Sequence, residues 1–261
     1  MHTLDFTLYL TAAALELGLA GVLIVRKLVR RFPFFLAYLL CSSAGDLIQS
    51  WMIRNTRSFY VMHWTLRALY VLLALFTILS IFKSAFRVIY DRFGWLAFAL
   101  PIGLLLFVDY LFWRTIHHSF GGSFIGIFAA DVYSFELGFC CLACSIALFS
   151  LWFERHYGFW GRYGLGIVTG FGYLGVFTLL AHLTRLFGGK FETVFQYIPS
   201  FGFLGATMLW LLFFRVKEPE NTPPDPDPEK LQQILDLFNE SVEIAKRMAR
   251  HLGIRFHYQR A

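Results

Sequence analysis

The sequence predicts an all-α, polytopic membrane protein. We expect a seven-transmembrane helix bundle with its N-terminus outside, its C-terminus inside and a cytoplasmic C-terminal amphipathic helix. Hydrophobic residues make up 57% of the 261 residues and charged residues only 15%, whereas a soluble domain carries roughly 25% charged residues. The apolar stretches are also long, and a membrane span needs about 20 mostly apolar residues. These observations exclude a soluble globular domain.

Seven apolar stretches define the predicted spans: 5–25, 33–53, 59–83, 94–113, 128–152, 164–187 and 194–215. The first is not expected to be a signal peptide, because no Lys or Arg precedes its apolar run. With the N-terminus outside, the inner connections hold 11 Lys and Arg residues and the outer ones hold 5. The positive-inside rule favours this orientation, which places 27–32, 84–93 and 154–163 in the cytoplasm.

Glycines concentrate in the sixth and seventh spans, as GLGIVTGFGYLG at 164–175 and SFGFLG at 200–205. The first stretch contains the pattern G-x-G-x-x-G, which in a dinucleotide-binding loop follows a strand and opens a helix. Neither context exists inside an apolar span. We therefore interpret the glycines as two small-residue faces that allow close packing of the two helices.

The chain divides into the bundle (1–217), an acidic, proline-rich linker (218–227) and a cytoplasmic helix with a basic tail (228–261). Apolar residues in the last segment recur at alternating steps of four and three, which predicts a helix with one apolar stripe. The predicted partner-docking residues on it are Leu231, Leu235, Phe238, Val242 and Leu252. We expect a cytoplasmic protein partner or the membrane surface to cover the stripe, rather than a second copy of the helix.

Ionisable residues inside the spans form the candidate site. Arg67 lies within the third span, and an arginine in hydrocarbon is costly unless it is paired. At about 1.5 Å per residue, Asp46 and Arg67 lie at the same depth. We therefore predict an Asp46–Arg67 ion pair, with Glu136 or Glu16 as alternative partners. The full candidate ligand or ion-pair cluster, biased to the outer half, comprises Arg67, Asp46, His63, Glu136, Glu16, Gln49, Asp131 and His182.

Two interpretations of this cluster compete. The polar groups either satisfy one another and lock the helices together, or they line an outward-open pocket for a small polar ligand, an ion or protons. No cofactor or metal is expected, because no metal-binding motif is present. His63 and His182 are the histidines deep in spans that could ligate haem or a metal. The four cysteines lie in apolar stretches and are expected to be packing residues: Cys41, Cys140, Cys141 and Cys144.

The expected function is that of a sensor-like protein or accessory subunit in a cell membrane, specifically a bacterial inner membrane. The polar cluster would feel a ligand, and the cytoplasmic helix would dock a partner. The alternatives are a small-solute or ion transporter and a structural subunit of a larger membrane complex. No catalytic residues are identified, so an enzyme is not expected. Nucleic acid is not an expected partner, since the basic residues of the bundle lie mainly at span ends.

Overall fold

A computed structural model describes residues 3–51, 57–85, 96–116, 123–157, 161–187 and 197–218, with separate positions between 229 and 247. The regular structure of these residues is entirely helical. A 3₁₀ turn at Leu28–Arg30 follows the first helix. The helices are α1 (Thr3–Val25), α2 (Pro33–Trp51), α3 (Arg57–Ala85), α4 (Leu96–Ile116), α5 (Phe124–Tyr157), α6 (Arg162–Phe187) and α7 (Ile198–Arg215).

Five of these helices are long and apolar enough to cross a membrane: α1, α3, α5, α6 and α7. The bundle carries large apolar side chains on its outside, including Phe107 (60% exposed), Leu148 (70%) and Leu212 (60%). Outward apolar surface on this scale is expected of helices that face lipid. The chain therefore has the features of a multi-pass membrane protein. The predicted count of seven spans and their orientation stay predictions.

Polar residues distinguish α2 from these five helices. Ser42, Ser43, Gln49 and Ser50 are buried within the bundle, and Asp46 is half-buried among them. These side chains lower the hydropathy of a helix that is 19 residues long. Three of them, Ser42, Asp46 and Gln49, lie on the face of α2 that lines the candidate site described below.

Helix ends follow local sequence signals. Ser123 caps α5, since its Oγ accepts a hydrogen bond from the Gly126 N–H at 3.1 Å. Proline opens α2 at Pro33 and lies in the first turn of α7 at Pro199, where its missing N–H costs nothing. Lys27, with φ of 56°, turns the chain out of α1 in the left-handed conformation that ends many helices.

The helices close into a ring. In order around the ring, α1 packs on α2, α2 on α3, α3 on α5 and α6, α5 on α6, α6 on α7, and α7 on α1. Helix α4 packs on the outside of α5. The ring encloses an aromatic core in which Phe35 and Tyr38 of α2 meet Phe171 of α6 and Trp210 of α7. Phe35 and Trp210 are fully buried, with their ring centroids 5.0 Å apart.

Glycines bring α6 and α7 together, as the sequence predicted. A Cβ at Gly170 would lie 2.0 Å from Nε1 of Trp210, and one at Gly202 would lie 2.4 Å from Cβ of Phe177. Gly166 and Gly205 face aromatic side chains of the opposite helix in the same way. Each glycine thus accommodates an aromatic ring of its neighbour. The interpretation as packing faces is confirmed.

Polar contacts join α1, α6 and α7 at the end of the bundle where α1 and α7 terminate. Arg31 Nη1 lies 2.6 Å from Oε2 of Glu218, whose side chain is only 2% exposed. The Glu218 N–H donates to the Tyr163 hydroxyl at 2.9 Å. Arg26 donates to the same hydroxyl at 3.2 Å and to the Arg215 carbonyl at 2.9 Å. We call these contacts the Glu218 latch, because they tie the first residue after Lys217 to the bundle.

The C-terminal segment is described at separate positions, which are all helical and exposed: Glu229, Gln232, Gln233, Asp236, Asn239, Glu240, Glu243, Ile244 and Arg247. Gln232 Nε2 donates to Oδ1 of Asp236 at 3.0 Å, one helical turn away. The predicted docking residues Leu231, Leu235, Phe238, Val242 and Leu252 lie outside the described residues.

Candidate functional site

A cavity of about 520 Å³ opens at the end of the bundle where α1, α3 and α7 begin. We call it the polar cavity. Six helices line it, and α4 stays outside. Its polar lining consists of Ser42, Asp46, Gln49, His63, Arg67, Glu136, Thr178 and Ser200. Small-molecule sites in proteins have volumes of roughly 300–1,000 Å³. The cavity thus has the size of a ligand site and lies where the sequence placed the polar cluster.

Arg67 of α3 is paired with Glu136 of α5. Its Nη2 donates to Oε1 at 3.0 Å, and its Nε lies 2.5 Å from Oε2. The predicted Asp46–Arg67 pair is therefore wrong, and the alternative partner Glu136 is the one found. Sequence spacing gives the depth of a residue in the bundle but not the direction in which its side chain points. Arg67 points to α5, the neighbour of α3 on its other side in the ring, rather than to α2.

Aromatic rings surround the Arg67 guanidinium. Its central carbon lies 5.4 Å from the Trp64 ring and 5.7 Å from the Tyr133 ring. Both distances are within the range of cation–π attraction. With two carboxylate contacts and two rings, the charge of Arg67 is compensated inside the protein. The arginine nevertheless lines the cavity, and its side chain is 25% exposed.

Asp46 lines the cavity and has no partner among the residues that the structure describes. Among the described residues, no hydrogen bond or ion pair reaches its carboxylate. Behind it, Tyr70 presses against Gly45: a Cβ at Gly45 would lie 1.6 Å from the Tyr70 hydroxyl oxygen. That hydroxyl is buried and has no hydrogen-bond partner in the described part of the chain. The part of the cavity wall formed by α2 and α3 therefore presents two polar groups that no described residue satisfies.

His63 and Gln49 join the same wall. Nδ1 of His63 lies 2.9 Å from Oε1 of Gln49, and the ring nitrogen must donate because a carbonyl oxygen can only accept. The His63 ring stacks on Phe59, with centroids 6.1 Å apart. The His63–Gln49 hydrogen bond joins α3 to α2 on the cavity wall.

Glu16 is fully buried between α1 and α2 and does not line the cavity directly. Ser43 Oγ donates to its Oε2 at 3.1 Å and also to the Leu39 carbonyl at 2.7 Å. Ser43 has one hydroxyl hydrogen, which is shared between the two acceptors, so Glu16 receives only part of a hydrogen bond. Its Oε1 has no hydrogen-bond partner within the described ranges. A second carboxyl group therefore lies near the Asp46 wall, because its partner Ser43 directly follows the cavity-lining Ser42 in α2.

Asp131 and His182 belong to the predicted cluster but do not line the cavity. Trp113 Nε1 donates to Asp131 Oδ1 at 2.8 Å, at the contact of α4 with α5. Nδ1 of His182 lies 2.8 Å from the Tyr133 hydroxyl. The Tyr133 ring also contacts the Arg67 guanidinium, so the His182 hydrogen bond helps to hold in place a ring that contacts the ion pair. The cavity thus gathers five of the eight predicted residues: Arg67, Asp46, His63, Glu136 and Gln49.

The cysteines and histidines do not assemble a metal site within the described residues. Trp64 and Tyr133 separate His63 from His182, because His63 packs on Trp64 and Trp64 on Tyr133. The four cysteines are free thiols. Cys144 Sγ lies 3.3 Å from the Gly172 carbonyl, a packing contact between α5 and α6.

Sequence analysis did not identify the aromatic lining of the cavity. Eight aromatic side chains of the described residues lie on its wall: Tyr9, Tyr38, Phe59, Tyr70, Phe139, Phe171, Tyr197 and Phe203. In a chain that is 19% aromatic, these rings carry no distinguishing pattern in the sequence. Only the fold selects them.

The fold and the cavity are those expected of a multi-pass helical membrane protein with a polar pocket at one end. Comparisons of the chain with protein-family models, with curated proteins and with solved structures find no match.

Proposed function

We propose that this protein is a sensor-like, seven-span membrane protein that binds a small polar ligand in the polar cavity. In this proposal the N-terminus and the cavity face the outside, and the C-terminal helix faces the cytoplasm. The observation that carries the proposal is the cavity of about 520 Å³ that reaches Arg67 from one end of the bundle. A cluster that only locks helices together has no need of such a space.

The state of the lining groups supports a binding role. The Arg67–Glu136 pair and the His63–Gln49 contact satisfy part of the wall and hold it in place. Asp46 remains available in the described structure, since no protein group pairs with it. Pre-organised walls with a few unsatisfied polar groups are typical of ligand sites.

Helix α7 offers a route for the output. Tyr197, the residue before α7, lines the cavity, and so do Ser200 and Phe203 in the first turns of the helix. Its 18 residues span about 27 Å, and the helix ends at Arg215 in the Glu218 latch. A ligand that displaces the first turns of α7 would also shift the last turn of the helix, and so would strain the contacts of the Glu218 latch. The linker and the C-terminal helix follow directly, and we propose that they pass the change to a cytoplasmic partner.

Transport is the second candidate function. The buried Glu16 beside the cavity wall favours it, because such a group could receive an ion or a proton. Transport would require a path to the opposite end of the bundle. The aromatic core stands in that path, with Phe35 and Trp210 fully buried. Phe171 packs on Trp210 with centroids 5.1 Å apart. We therefore favour sensing over transport, and either over a structural subunit.

Ligand co-purification tests the binding role. We would purify the full-length protein in mild detergent from its native membrane and identify released small molecules by mass spectrometry. Ser200→Trp and Ala12→Phe would fill the cavity, whereas Leu106→Trp adds bulk on the exposed face of α4. We expect an enriched compound with the wild type and Leu106→Trp, and its loss with both filling variants. Release of the same compounds by all four proteins would reject ligand binding in the cavity.

The orientation has its own test. Single cysteines at positions 55 and 120, in a background without the native cysteines, are expected to react with a membrane-impermeant thiol reagent added to intact cells. Labelling only after the membrane is opened would place these positions inside and would invert the proposed topology.

A further inference from the structure

We propose that the polar cavity selects an organic cation, an amine or quaternary ammonium compound, with Asp46 as its counter-ion and the aromatic wall as its cage. This inference rests on the proposed function, since it names the ligand class of the same site. The juxtaposition that carries it is a carboxylate, unpaired among the described residues, in a cavity with eight aromatic side chains.

The charge of the cavity is unbalanced. Among the described residues, Arg67 is the only Lys or Arg that lines it, and both oxygens of Glu136 contact that arginine. Asp46 then remains as the carboxylate without a counter-charge in the same part of the chain. Glu16 beside the wall adds a second carboxyl group with an oxygen that no described residue contacts by a hydrogen bond. A cationic ligand would supply the missing positive charge.

An anionic ligand fits less well. It would have to draw Arg67 away from Glu136 and from the rings of Trp64 and Tyr133. Glu136 would then be left as an uncompensated carboxylate, which is costly in a buried position. The anion would also lie in the same cavity as Asp46, with a repulsive interaction.

The aromatic wall and the volume select an organic cation over a metal ion. A ring face attracts a cation within about 6 Å of its centroid, and groups of rings recognise quaternary ammonium compounds. Tyr9, Tyr70, Tyr197 and Phe203 come from α1, α3 and α7, so the rings approach the cavity from different sides. A dehydrated metal ion needs a close shell of oxygen ligands. It would leave most of the 520 Å³ empty.

Charge-selective thiol modification tests the ligand class even while the natural ligand is unidentified. The background would be the full chain with its four native cysteines replaced by alanine. Ser200→Cys places one thiol on the cavity wall, and Ser123→Cys places one on the exposed start of α5. The two probes are trimethylammonium-ethyl and sulfonatoethyl methanethiosulfonate, which carry opposite charges. Rates would be normalised to those of free mercaptoethanol.

We expect the cationic reagent to modify Ser200→Cys at least about tenfold faster than the anionic reagent, because a cavity with a net negative charge concentrates cations. Ser123→Cys should show no such preference. Asp46→Asn should remove most of the preference. Asp131→Asn makes the same change of charge outside the cavity and should retain it. Benzyltrimethylammonium should slow the modification of Ser200→Cys, and phenylpropanoate should not.

The outcomes separate the two proposals. A faster reaction with the anionic reagent, or a cation preference that Asp46→Asn leaves intact, would overturn the organic-cation assignment while leaving an accessible cavity. Modification of Ser200→Cys by neither reagent would show that the cavity is closed to solutes, and would reject the binding function as well. If Asp46→Asn fails to fold, the comparison of Ser200→Cys with Ser123→Cys still decides the charge preference.

Discussion

Replacing Glu136 by glutamine is expected to destabilise the protein through Arg67. The change removes one charge and keeps the shape of the side chain, so it leaves the guanidinium in the bundle without a counter-ion. Both oxygens of Glu136 contact Arg67: Oε2 lies 2.5 Å from Nε, and Oε1 lies 3.0 Å from Nη2. The Glu136 side chain is 14% exposed and the Arg67 side chain 25% exposed. Breaking a buried pair typically costs about 3–5 kcal/mol. Partial exposure of Arg67 to the cavity places the expected loss at about 3 kcal/mol, the low end of that range.

A double-mutant cycle isolates the pair. Glu136→Gln, Arg67→Gln and the double variant would be unfolded in mixed micelles with increasing denaturing detergent, with helix content followed by circular dichroism. Because both single changes break the same contact, the double variant should lose less stability than the sum of the two. We expect a coupling energy of about 1.5–3 kcal/mol, as found for residues in one ion-pair network.

A matched cycle with Asp46→Asn and Arg67→Gln is the control, because it changes the same charges at a similar predicted depth. Its coupling energy should stay below about 0.5 kcal/mol, the additivity expected of residues without a shared contact. If the Asp46–Arg67 cycle couples more strongly than the Glu136–Arg67 cycle, the assignment of the ion pair is wrong. The inference that Asp46 is free for a ligand then fails with it.

Three further changes test two glycine contacts within the bundle and the Glu218 latch. Gly170→Ala should lower the free energy of unfolding by about 1–3 kcal/mol through overpacking on the buried Trp210 ring; Gly103→Ala, which meets nothing within 4 Å, should not lower it. Gly45→Ala should destabilise by clashing with the Tyr70 hydroxyl, and adding Tyr70→Phe should recover part of the loss in the same detergent titration. Glu218→Gln should open the latch and raise protease cleavage just after Lys217, without a comparable change in the thermal midpoint of the bundle; unchanged cleavage would contradict this role of Glu218.

The helices and one interface could be predicted from the sequence because local patterns determine them. Apolar length gave the extents of α1, α2 and α6 within a few residues. The glycines of the sixth and seventh spans gave the α6–α7 contact, since a helix without side chains on one face can only be covered by close packing. Neither inference requires knowing which helices that are distant in sequence pack against each other.

The partner of Arg67 could not be predicted by the same reasoning. Asp46 and Arg67 lie at matching depth on helices that are adjacent in sequence and in space. Pairing across a helix interface also depends on the rotation of each helix about its axis, and a count of residues along the chain contains no information on rotation. The contact of α3 with α5 is long-range, and it turns Arg67 towards Glu136. The aromatic cavity wall was missed because aromatic residues make up 19% of the chain and do not mark a site by themselves.

The two interpretations of the polar cluster are therefore not exclusive, because different residues carry them. Arg67 and Glu136 form the structural part: their contact joins α3 to α5 and consumes the one Lys or Arg side chain of the described cavity lining. That pairing leaves Asp46 without a counter-charge in the described structure, and so creates the functional part. Had Arg67 paired with Asp46 instead, Glu136 would be the group left open, on the part of the cavity wall that α5 contributes. The position of the free carboxylate, and with it the site of the proposed cationic ligand, follows from which helix the arginine faces.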